Sequence, residues 1–314
     1  MGDKAGQFAA DHFARLKNTL RPVLTIADTA HAVLGTKAMS AVTAGMHSML
    51  HMPLWTPAMP KAFHVNKHIE EQQPKAKDKV VYFPSCINQT MGLPRKSPEE
   101  MALVNKMVSL LNKAGYEIVF PKNMDKLCCG TIWESKGMMD IADRKSKELE
   151  EALWEASEHG SYPVLCDQSP CLHRMRKTIK KMRLYEPAEF IYTFLRDRLA
   201  FEPIDEPVAI HITCSMRHMG LGDTIVSLAK LCSKNVFVPE EIGCCGFAGD
   251  RGFTHPEVNK YALRKLRPQL EERGIHMGYS NSRTCEIGLT TNSGITYESI
   301  VYLVDQCTTA KHQD

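Results

Sequence analysis

Nine of the 11 cysteines fall into two ordered groups that follow the same plan. Each group opens with Cys-x4-Met-Gly, continues with an adjacent pair in Cys-Cys-Gly, and closes with a further cysteine. The first group has one cysteine more than the second, shortly before its closing one. Self-similarity of this kind indicates two copies of one supersecondary unit. In chain order the candidate metal ligands are Cys86, Cys128, Cys129, Cys166, Cys171, Cys214, Cys244, Cys245 and Cys285.

Thiolates gathered in groups of four are ligands for soft metals, chiefly iron–sulfur clusters, zinc and copper(I). Zinc sites usually present paired Cys-x2-Cys knuckles, and this sequence has none. Adjacent cysteines are awkward around one tetrahedral ion but can bind two metals of one cluster. The pattern therefore favours iron–sulfur clusters, with a zinc-stabilised scaffold, disulfides and simple packed cysteines as alternatives.

The two groups differ at one position. Aligning the copies on Cys171 and Cys285 places Ser280 opposite Cys166. The first site then has five candidate thiolates and the second has four. Because one thiolate fewer makes a site less negative, we expect two distinct reduction steps, with the second site reduced first.

Two further cysteines and three histidines are weaker candidates for the same sites. Cys232 and Cys307 lie in apolar helical stretches, and we expect them to be packed in the core. His173, His211 and His218 lie close to the cysteines. A histidine in such a place is more often packed or hydrogen-bonded than a ligand, so the histidines stay outside the predicted ligand set.

The cysteines follow predicted strands, mostly just before helices. Apolar runs predict strands at 79–84, 117–120, 162–166, 207–213, 235–238 and 276–280. Helices are predicted at 97–114, 138–156, 169–182, 222–232, 256–272 and 297–307. Strands alternating with helices indicate parallel sheets covered by helices. Since parallel strands end at one edge of their sheet, cysteines distant in sequence can converge there.

We expect an α/β protein in which two parallel-sheet Cys-Cys-Gly modules follow an N-terminal helical segment. One or two helices are predicted in that segment, over 21–35 and 37–51, and the charged run 70–79 is predicted to be a linker. Met46, Met49 and nearby apolar residues are expected to form a packing face, with a docking face as the alternative. The expected division is 1–78 for the helical segment and linker, 79–203 for the first module and 204–314 for the second.

Charge and hydropathy exclude several classes of protein. The net charge of +3 and the interleaving of opposite charges give no argument for a nucleic-acid partner. No run of about 18 apolar residues predicts a membrane span, and residues 1–10 lack the apolar core of a secretory signal. We expect a cytoplasmic chain, free or attached peripherally at the inner face of a membrane, whose thiols stay reduced.

The order Cys, Cys-Cys-Gly, Cys resembles the cysteine-rich region of heterodisulfide reductase, the glycolate oxidase iron–sulfur subunit and related lactate-utilisation proteins. Segments 164–174, 279–288 and 300–305 are similar to the C-terminal part of flavin- and 4Fe-4S-dependent D-lactate dehydrogenases. The resemblance implies one or two iron–sulfur clusters, of the 4Fe-4S kind, and FAD only on a partner domain or chain. It implies an electron-transfer module of a D-lactate or related D-2-hydroxy acid dehydrogenase, passing electrons from a flavoprotein to a quinone or cytochrome.

The resemblance covers only part of such an enzyme. The sequence has no Cys-x2-Cys-x2-Cys-x3-Cys-Pro run and no Gly-x-Gly-x-x-Gly fingerprint. We therefore expect a module that does not oxidise a hydroxy acid alone. A thiol–disulfide reductase similar to heterodisulfide reductase, in which a cluster itself cleaves a disulfide, is the second hypothesis. Independently of that choice, the resemblance implies that the five-thiolate first site can hold an opened, non-cubane cluster, whereas four thiolates at the second site suffice for an ordinary cubane.

Overall fold

The computed structural model describes residues 2–66 and 75–311, which leaves residues 70–74 of the predicted linker outside the described part. Its strands are β1 (Pro60–Ala62), β2 (Asp78–Phe83), β3 (Met91–Pro94), β4 (Tyr116–Val119), β5 (Val164–Cys166), β6 (Leu184–Tyr185), β7 (Leu199–Phe201), β8 (Val208–Ile210), β9 (Val236–Phe237), β10 (Met277–Ser280), β11 (Thr296–Ser299) and β12 (Thr308–Ala310). Its α-helices are α1 (Asp3–Asp11), α2 (Phe13–Leu50), α3 (Leu103–Lys113), α4 (Thr131–Glu134), α5 (Met139–Ala156), α6 (Ser169–Thr178), α7 (Pro187–Phe190), α8 (Cys214–His218), α9 (Gly222–Cys232), α10 (Pro256–Ala262), α11 (Leu266–Glu272), α12 (Arg283–Ser293) and α13 (Ile300–Gln306). Short 3-10 turns lie at Met124–Lys126 and Arg251–Phe253, and a π-helical turn at Ile191–Leu195 follows α7.

Two four-stranded sheets carry the architecture. The first has the order β4-β2-β5-β6 and the second β9-β8-β10-β11, and every neighbouring pair in them is parallel. Counted along the chain, both sheets place their strands in the order second, first, third, fourth. The duplication predicted from the cysteines is therefore also a duplication of topology, and the predicted α/β class with two parallel-sheet modules is confirmed.

The two sheets share one hydrophobic core. Val80 and Tyr82 of β2 lie in the same cluster of buried side chains as Ile210 of β8 and Tyr302 of α13. All four are 0–1% exposed, and burying a large apolar side chain stabilises a fold by about 1.5–3 kcal/mol. A further link is antiparallel: β12, near the end of the described chain, pairs with β7, which precedes the second sheet. Strands β1 and β3 form a second antiparallel pair.

The N-terminal helices pack on the first module. The Phe13 ring in α2 contacts the Trp133 ring of α4, with centroids 5.5 Å apart, and Trp133 Nε1 donates a hydrogen bond to the Gly6 carbonyl at 3.2 Å. Phe13 belongs to the same buried cluster as Cys128 and Cys129. The helical segment thus covers the first cysteine group.

The helical segment differs from its prediction in extent and in burial. The predicted break near Gly35 is present, because Gly35 has a φ of 74° and kinks α2, but the helix already begins at Phe13. The side chains of Met49 and Leu50 are 76% and 66% exposed, so the predicted packing face is wrong within this chain. None of the helices in the described ranges combines the length and hydrophobicity that a membrane span requires.

Two predicted helices begin later than expected, and a serine side chain is involved in each case. Ser97 does not begin a helix: its Oγ donates to Glu298 Oε1 at 2.5 Å and accepts from the Glu99 amide, and α3 begins only at Leu103. Ser299 accepts from the Val301 amide and caps α13, so the predicted helix 297–307 starts later and its first residues belong to β11.

Two further differences lie in the second module. The predicted helix 256–272 is divided into α10 and α11, and Pro268 falls in the first turn of α11, where its missing N–H is not needed. Helix α12, which carries Cys285, was not predicted. Its threonines, asparagine and glycine are poor helix formers, so its local signal is weak.

Candidate metal centres

The five cysteines of the first group converge at the carboxyl edge of the first sheet. One follows β2, the adjacent pair follows β4, one ends β5, and one lies in the first turn of α6. Their thiols contact one another in a continuous series. The order of contact is Cys86, Cys128, Cys129, Cys171 and Cys166.

Proton sharing within this series makes some of the first-site thiols acidic. Hydrogen bonds from the Cys128 and Cys171 thiols hold the pKa of Cys129 well below its usual range, and the pKa values of those two donors rise. Cys86 is partly exposed and the other four are buried. Several thiolates this close together repel one another unless a cation lies among them, so the arrangement suits a metal group.

The four cysteines of the second group repeat the arrangement at the edge of the second sheet. Cys214 begins α8 after β8, Cys244 and Cys245 follow β9, and Cys285 lies in the first turn of α12. The Sγ atoms of Cys245 and Cys285 are 3.1 Å apart, well beyond the roughly 2.05 Å of a disulfide bond. Cys214 and Cys244 are exposed to solvent, which distinguishes this site from the first.

The second-site thiols also share protons. Hydrogen bonds from the Cys214 and Cys245 thiols lower the pKa of Cys244 to about 2. The neighbouring Cys245 thiol, with the adjacent His211 imidazole, lowers the pKa of Cys285 to about 5 even though burial opposes it.

Both adjacent pairs are shaped by the glycine that follows them. Gly130 has a φ of 90° and its N–H donates to Cys128 Sγ at 3.4 Å; Gly246 has a φ of 72° and its N–H donates to Cys244 Sγ at 3.3 Å. Amide hydrogen bonds to sulfur stabilise thiolates and tune iron–sulfur clusters. The donors and the convergent thiols together fit an anionic metal–sulfur group at each site.

A helix packs closely against each of these turns. A Cβ on Gly130 would lie 2.3 Å from the Ala142 carbonyl oxygen of α5, and one on Gly246 would lie 2.9 Å from the Val258 carbonyl oxygen of α10. The same two helices hold the carbonyls of the second cysteines. Ser146 Oγ donates to the Cys129 carbonyl at 2.7 Å, and Asn259 Nδ2 donates to the Cys245 carbonyl at 2.5 Å.

A buried lysine brings positive charge to the first site. Lys17 of α2 is 3% exposed, and its Nζ donates to Gln89 Oε1 at 2.7 Å. Burial lowers its pKa to about 8, and the Cys86 and Cys128 thiols act in the opposite direction. Sequence reasoning did not find Lys17, because it lies far from the cysteines and outside any local motif.

Residues next to the two sites are joined by a hydrogen-bonded seam. Gln168 Nε2 donates to Ser282 Oγ at 3.1 Å, and these residues hold the same place in the two copies, three positions before Cys171 and Cys285. Beside them, the Ser169 and Ser215 hydroxyls are 2.8 Å apart. The seam therefore joins equivalent positions of the two copies directly.

The remaining cysteines and histidines divide into packed and site-adjacent residues. Cys232 and Cys307 are buried in the shared core, as predicted. The rings of His173 and His218 stack with centroids 5.6 Å apart. His211 behaves differently: a ring nitrogen of His211 and the Sγ atoms of Cys245 and Cys285 all lie within 4.8 Å of one another.

Comparison with known proteins agrees with this arrangement. A family model described as CCG, cysteine-rich domain, matches residues 80–176 and 208–290, more than half of the chain. Lactate utilization protein A 1 of Bacillus mycoides (strain KBAB4) is 25% identical over an alignment 186 positions long that covers 54% of this chain and 75% of that protein. The glycolate oxidase iron-sulfur subunit of Escherichia coli (strain K12) is 22% identical over an alignment 246 positions long that covers 73% of this chain, and the chain spans 58% of that protein's length. Among solved structures, Picrophilus torridus aspartate racemase aligns over 73% of this chain and 90% of its own with a TM-score of 0.34 and 7% identity, values too low to support a conclusion.

Proposed function

The chain belongs to the CCG cysteine-rich domain family, and from this premise we propose that it is the iron–sulfur electron-transfer subunit or module of an enzyme that oxidises a 2-hydroxy acid. D-lactate is the substrate that we propose for the whole enzyme, and glycolate is the alternative substrate. The observation that carries the proposal is that two sets of cysteine thiols, five in one and four in the other, each converge at the carboxyl edge of one of the duplicated parallel sheets. The names of the two relatives supply the hydroxy-acid context.

Cysteine residues of this chain would coordinate the clusters. At the first centre the ligands would be Cys86, Cys128, Cys129, Cys166 and Cys171; at the second they would include Cys214, Cys244, Cys245 and Cys285. A bound iron–sulfur cluster takes up and releases single electrons at a potential set by its charge, hydrogen bonds and exposure. The Gly130 and Gly246 amides donate to ligand sulfurs, and Lys17 adds a cation near the first centre.

Exposure suggests where electrons leave the chain. Helices α1 and α2 cover the first centre through contacts such as that of Phe13 with Trp133. The second centre is open at Cys214 and Cys244. We propose that a flavoprotein partner carrying FAD supplies the electrons and that a quinone or cytochrome accepts them, with the open second centre as the exit.

Burial also separates this function from thiol–disulfide reduction. In that second hypothesis a disulfide substrate would have to reach the five-thiol first centre. Four of those five thiols are buried, so a bulky disulfide has no direct access in this conformation. Electron transfer requires only that a donor or acceptor comes close to the cluster, without direct contact between substrate and thiols. Electron transfer therefore agrees better with the buried first centre than disulfide reduction does.

Anaerobic purification of the full chain tests the proposal. We expect a brown protein that contains iron and acid-labile sulfide, with about eight irons per chain if both centres hold four-iron clusters. The chain alone should not oxidise D-lactate, and its clusters should become reduced when a matching flavoprotein and D-lactate are added. A colourless protein with stoichiometric zinc, expressed with ample iron, would refute the proposal in favour of a zinc-stabilised scaffold. Rapid reduction of a mixed disulfide by the isolated chain would favour the reductase hypothesis instead.

A further inference from the structure

His211 lies one residue beyond β8, at the strand-end edge that carries the second centre. Its side chain is 3% exposed. Its backbone is fixed on both sides, since the His211 N–H donates to the Tyr279 carbonyl at 2.9 Å and the His211 carbonyl accepts from Ser280 Oγ at 3.2 Å. These bonds place the imidazole against Cys245 and Cys285.

The imidazole carries an orphaned nitrogen. Nε2 of His211 is buried and has no hydrogen-bond partner among the described residues. A buried polar atom without a partner is costly, and native structures usually satisfy such atoms with a protein group, a water or a bound ion. Here the ring has two sulfur neighbours: one of its nitrogens and the Sγ atoms of Cys245 and Cys285 all lie within 4.8 Å of one another.

The strand register places different candidate donors at equivalent positions of the two modules. In the first sheet, Phe83 of β2 is the Cα partner of Cys166 at the end of β5. In the second sheet, β8 and β10 pair in the same way up to Ile210 and Tyr279, which brings His211 beside Ser280. A phenyl ring opposite a thiol in the first module is thus replaced by an imidazole opposite a hydroxyl in the second. The fifth candidate donor is a thiol on the third strand in the first module and an imidazole after the first strand in the second, so each centre has five candidate donors.

We propose that His211 is a ligand of the metal group at the second centre, together with Cys214, Cys244, Cys245 and Cys285. The proposal builds on the iron–sulfur function above. Imidazole is neutral where a thiolate is negative, and histidine in place of cysteine raises the potential of an iron–sulfur centre. Mixed ligation is therefore consistent with the second centre being the more easily reduced of the two, because its fifth donor is neutral where that of the first centre is a thiolate.

The test compares variants of the full chain reconstituted anaerobically with iron and sulfide. Pulsed electron paramagnetic resonance of the reduced protein should show coupling of the second cluster to a ligand ¹⁴N nucleus. His211→Gln should lose this coupling, whereas the matched control His173→Gln should keep it, because His173 stacks on His218 instead of facing the thiols. The double variant His211→Phe/Ser280→Cys recreates the first-module pair. It should keep its iron, lose the nitrogen coupling and shift the more positive reduction step to lower potential.

The outcomes separate this proposal from the proposed function. Iron at both centres with no nitrogen coupling, or coupling that persists in His211→Gln, would overturn the ligand assignment and leave the electron-transfer function intact. Zinc at the second centre would refute the iron–sulfur function there. A nitrogen in the zinc X-ray absorption spectrum that disappears in His211→Gln would nevertheless support His211 as the ligand. If His211→Gln does not fold, as judged by circular dichroism, the double variant decides the question alone.

Discussion

Gly130 allows the adjacent cysteines of the first centre to lie directly against helix α5, and replacing it with alanine tests how tightly that turn is built. Gly130 has a φ of 90°, in the left-handed region, and a Cβ there would lie 2.3 Å from the Ala142 carbonyl oxygen and 2.9 Å from Arg174 Nε. Neither neighbour can withdraw easily. Ala142 is helix backbone, and Arg174 is held by ion pairs with Glu134 at 2.9 Å and Asp143 at 2.7 Å.

Two costs add in Gly130→Ala. A side chain in the left-handed region costs about 1–2 kcal/mol, and forcing an extra carbon into a packed site costs about 1–3 kcal/mol. Alanine also lowers the conformational entropy of the unfolded chain, which offsets about 0.4–1 kcal/mol of these costs. We expect a net loss of about 2–4 kcal/mol in the free energy of unfolding. Gly137→Ala is the matched control, because Gly137 has a φ of 78° but a Cβ there would meet nothing within 4 Å, so only about 1 kcal/mol should be lost.

The assay is urea unfolding of the anaerobically prepared full chain, followed by far-ultraviolet circular dichroism, with iron content measured on the same samples. Gly130→Ala should unfold at clearly lower urea than Gly137→Ala and should bind less iron, because the displaced turn carries Cys128 and Cys129. Equal losses of stability in the two variants would refute the close-packing argument, leaving only the backbone conformation as the role of Gly130.

Cys245→Ser should lose iron because oxygen is a harder ligand than thiolate, whereas Cys307→Ser, whose thiol lies in the core, should retain it in metal analysis. Lys17→Met should lower the potential of the first centre by on the order of tens of millivolts, as expected for removal of one charge at an effective dielectric constant of about 20; an unchanged potentiometric titration would contradict this. Cys166→Ser should alter the resonance signal and potential of the first centre, and identical spectra would show that Cys166 is only packed. Burial raises the pKa of Glu186 to about 8 from its ordinary 4.5, so the folded chain holds a proton that the unfolded chain releases between these values. Stability should therefore fall as pH rises through that window, and Glu186→Gln should flatten the dependence in urea unfolding at several pH values.

Local patterns in the sequence were sufficient for the sheets and for the grouping of the cysteines. Short apolar runs such as Val80–Phe83 have no polar side that could face water, so a buried parallel strand is the natural outcome. The repeated Cys-Cys-Gly then places thiols at strand ends. The structure brings all nine predicted cysteines to those two edges, although their role as ligands remains a prediction.

What the sequence could not show depends on register and on distant packing. His211 was left out of the predicted ligand set because a histidine near a site is more often packed or hydrogen-bonded than a ligand. Only the pairing of β8 with β10 places it beside Ser280, the counterpart of Cys166. Lys17 approaches the first centre because α2 packs against that module, a contact between residues far apart in the chain. Helix α12 formed from weak helix formers because Ile287 and Leu289 are buried, so tertiary packing overrides propensity there.

The pairing of β12 with β7 has a consequence for how the chain folds. The predicted boundary between the modules falls just after β7, yet β7 completes its hydrogen bonds only with residues 308–310. Lys113 of α3 adds a second tie, since its Nζ contacts Asp305 Oδ1 at 2.6 Å and the Thr308 carbonyl at 3.0 Å. Together with the common core, these contacts tie the two copies to each other, and β7 gains its strand pairing only once residues 308–310 are available. Duplication has thus produced two copies that repeat one another in topology but share one core and a strand pairing, and we therefore expect them to unfold together.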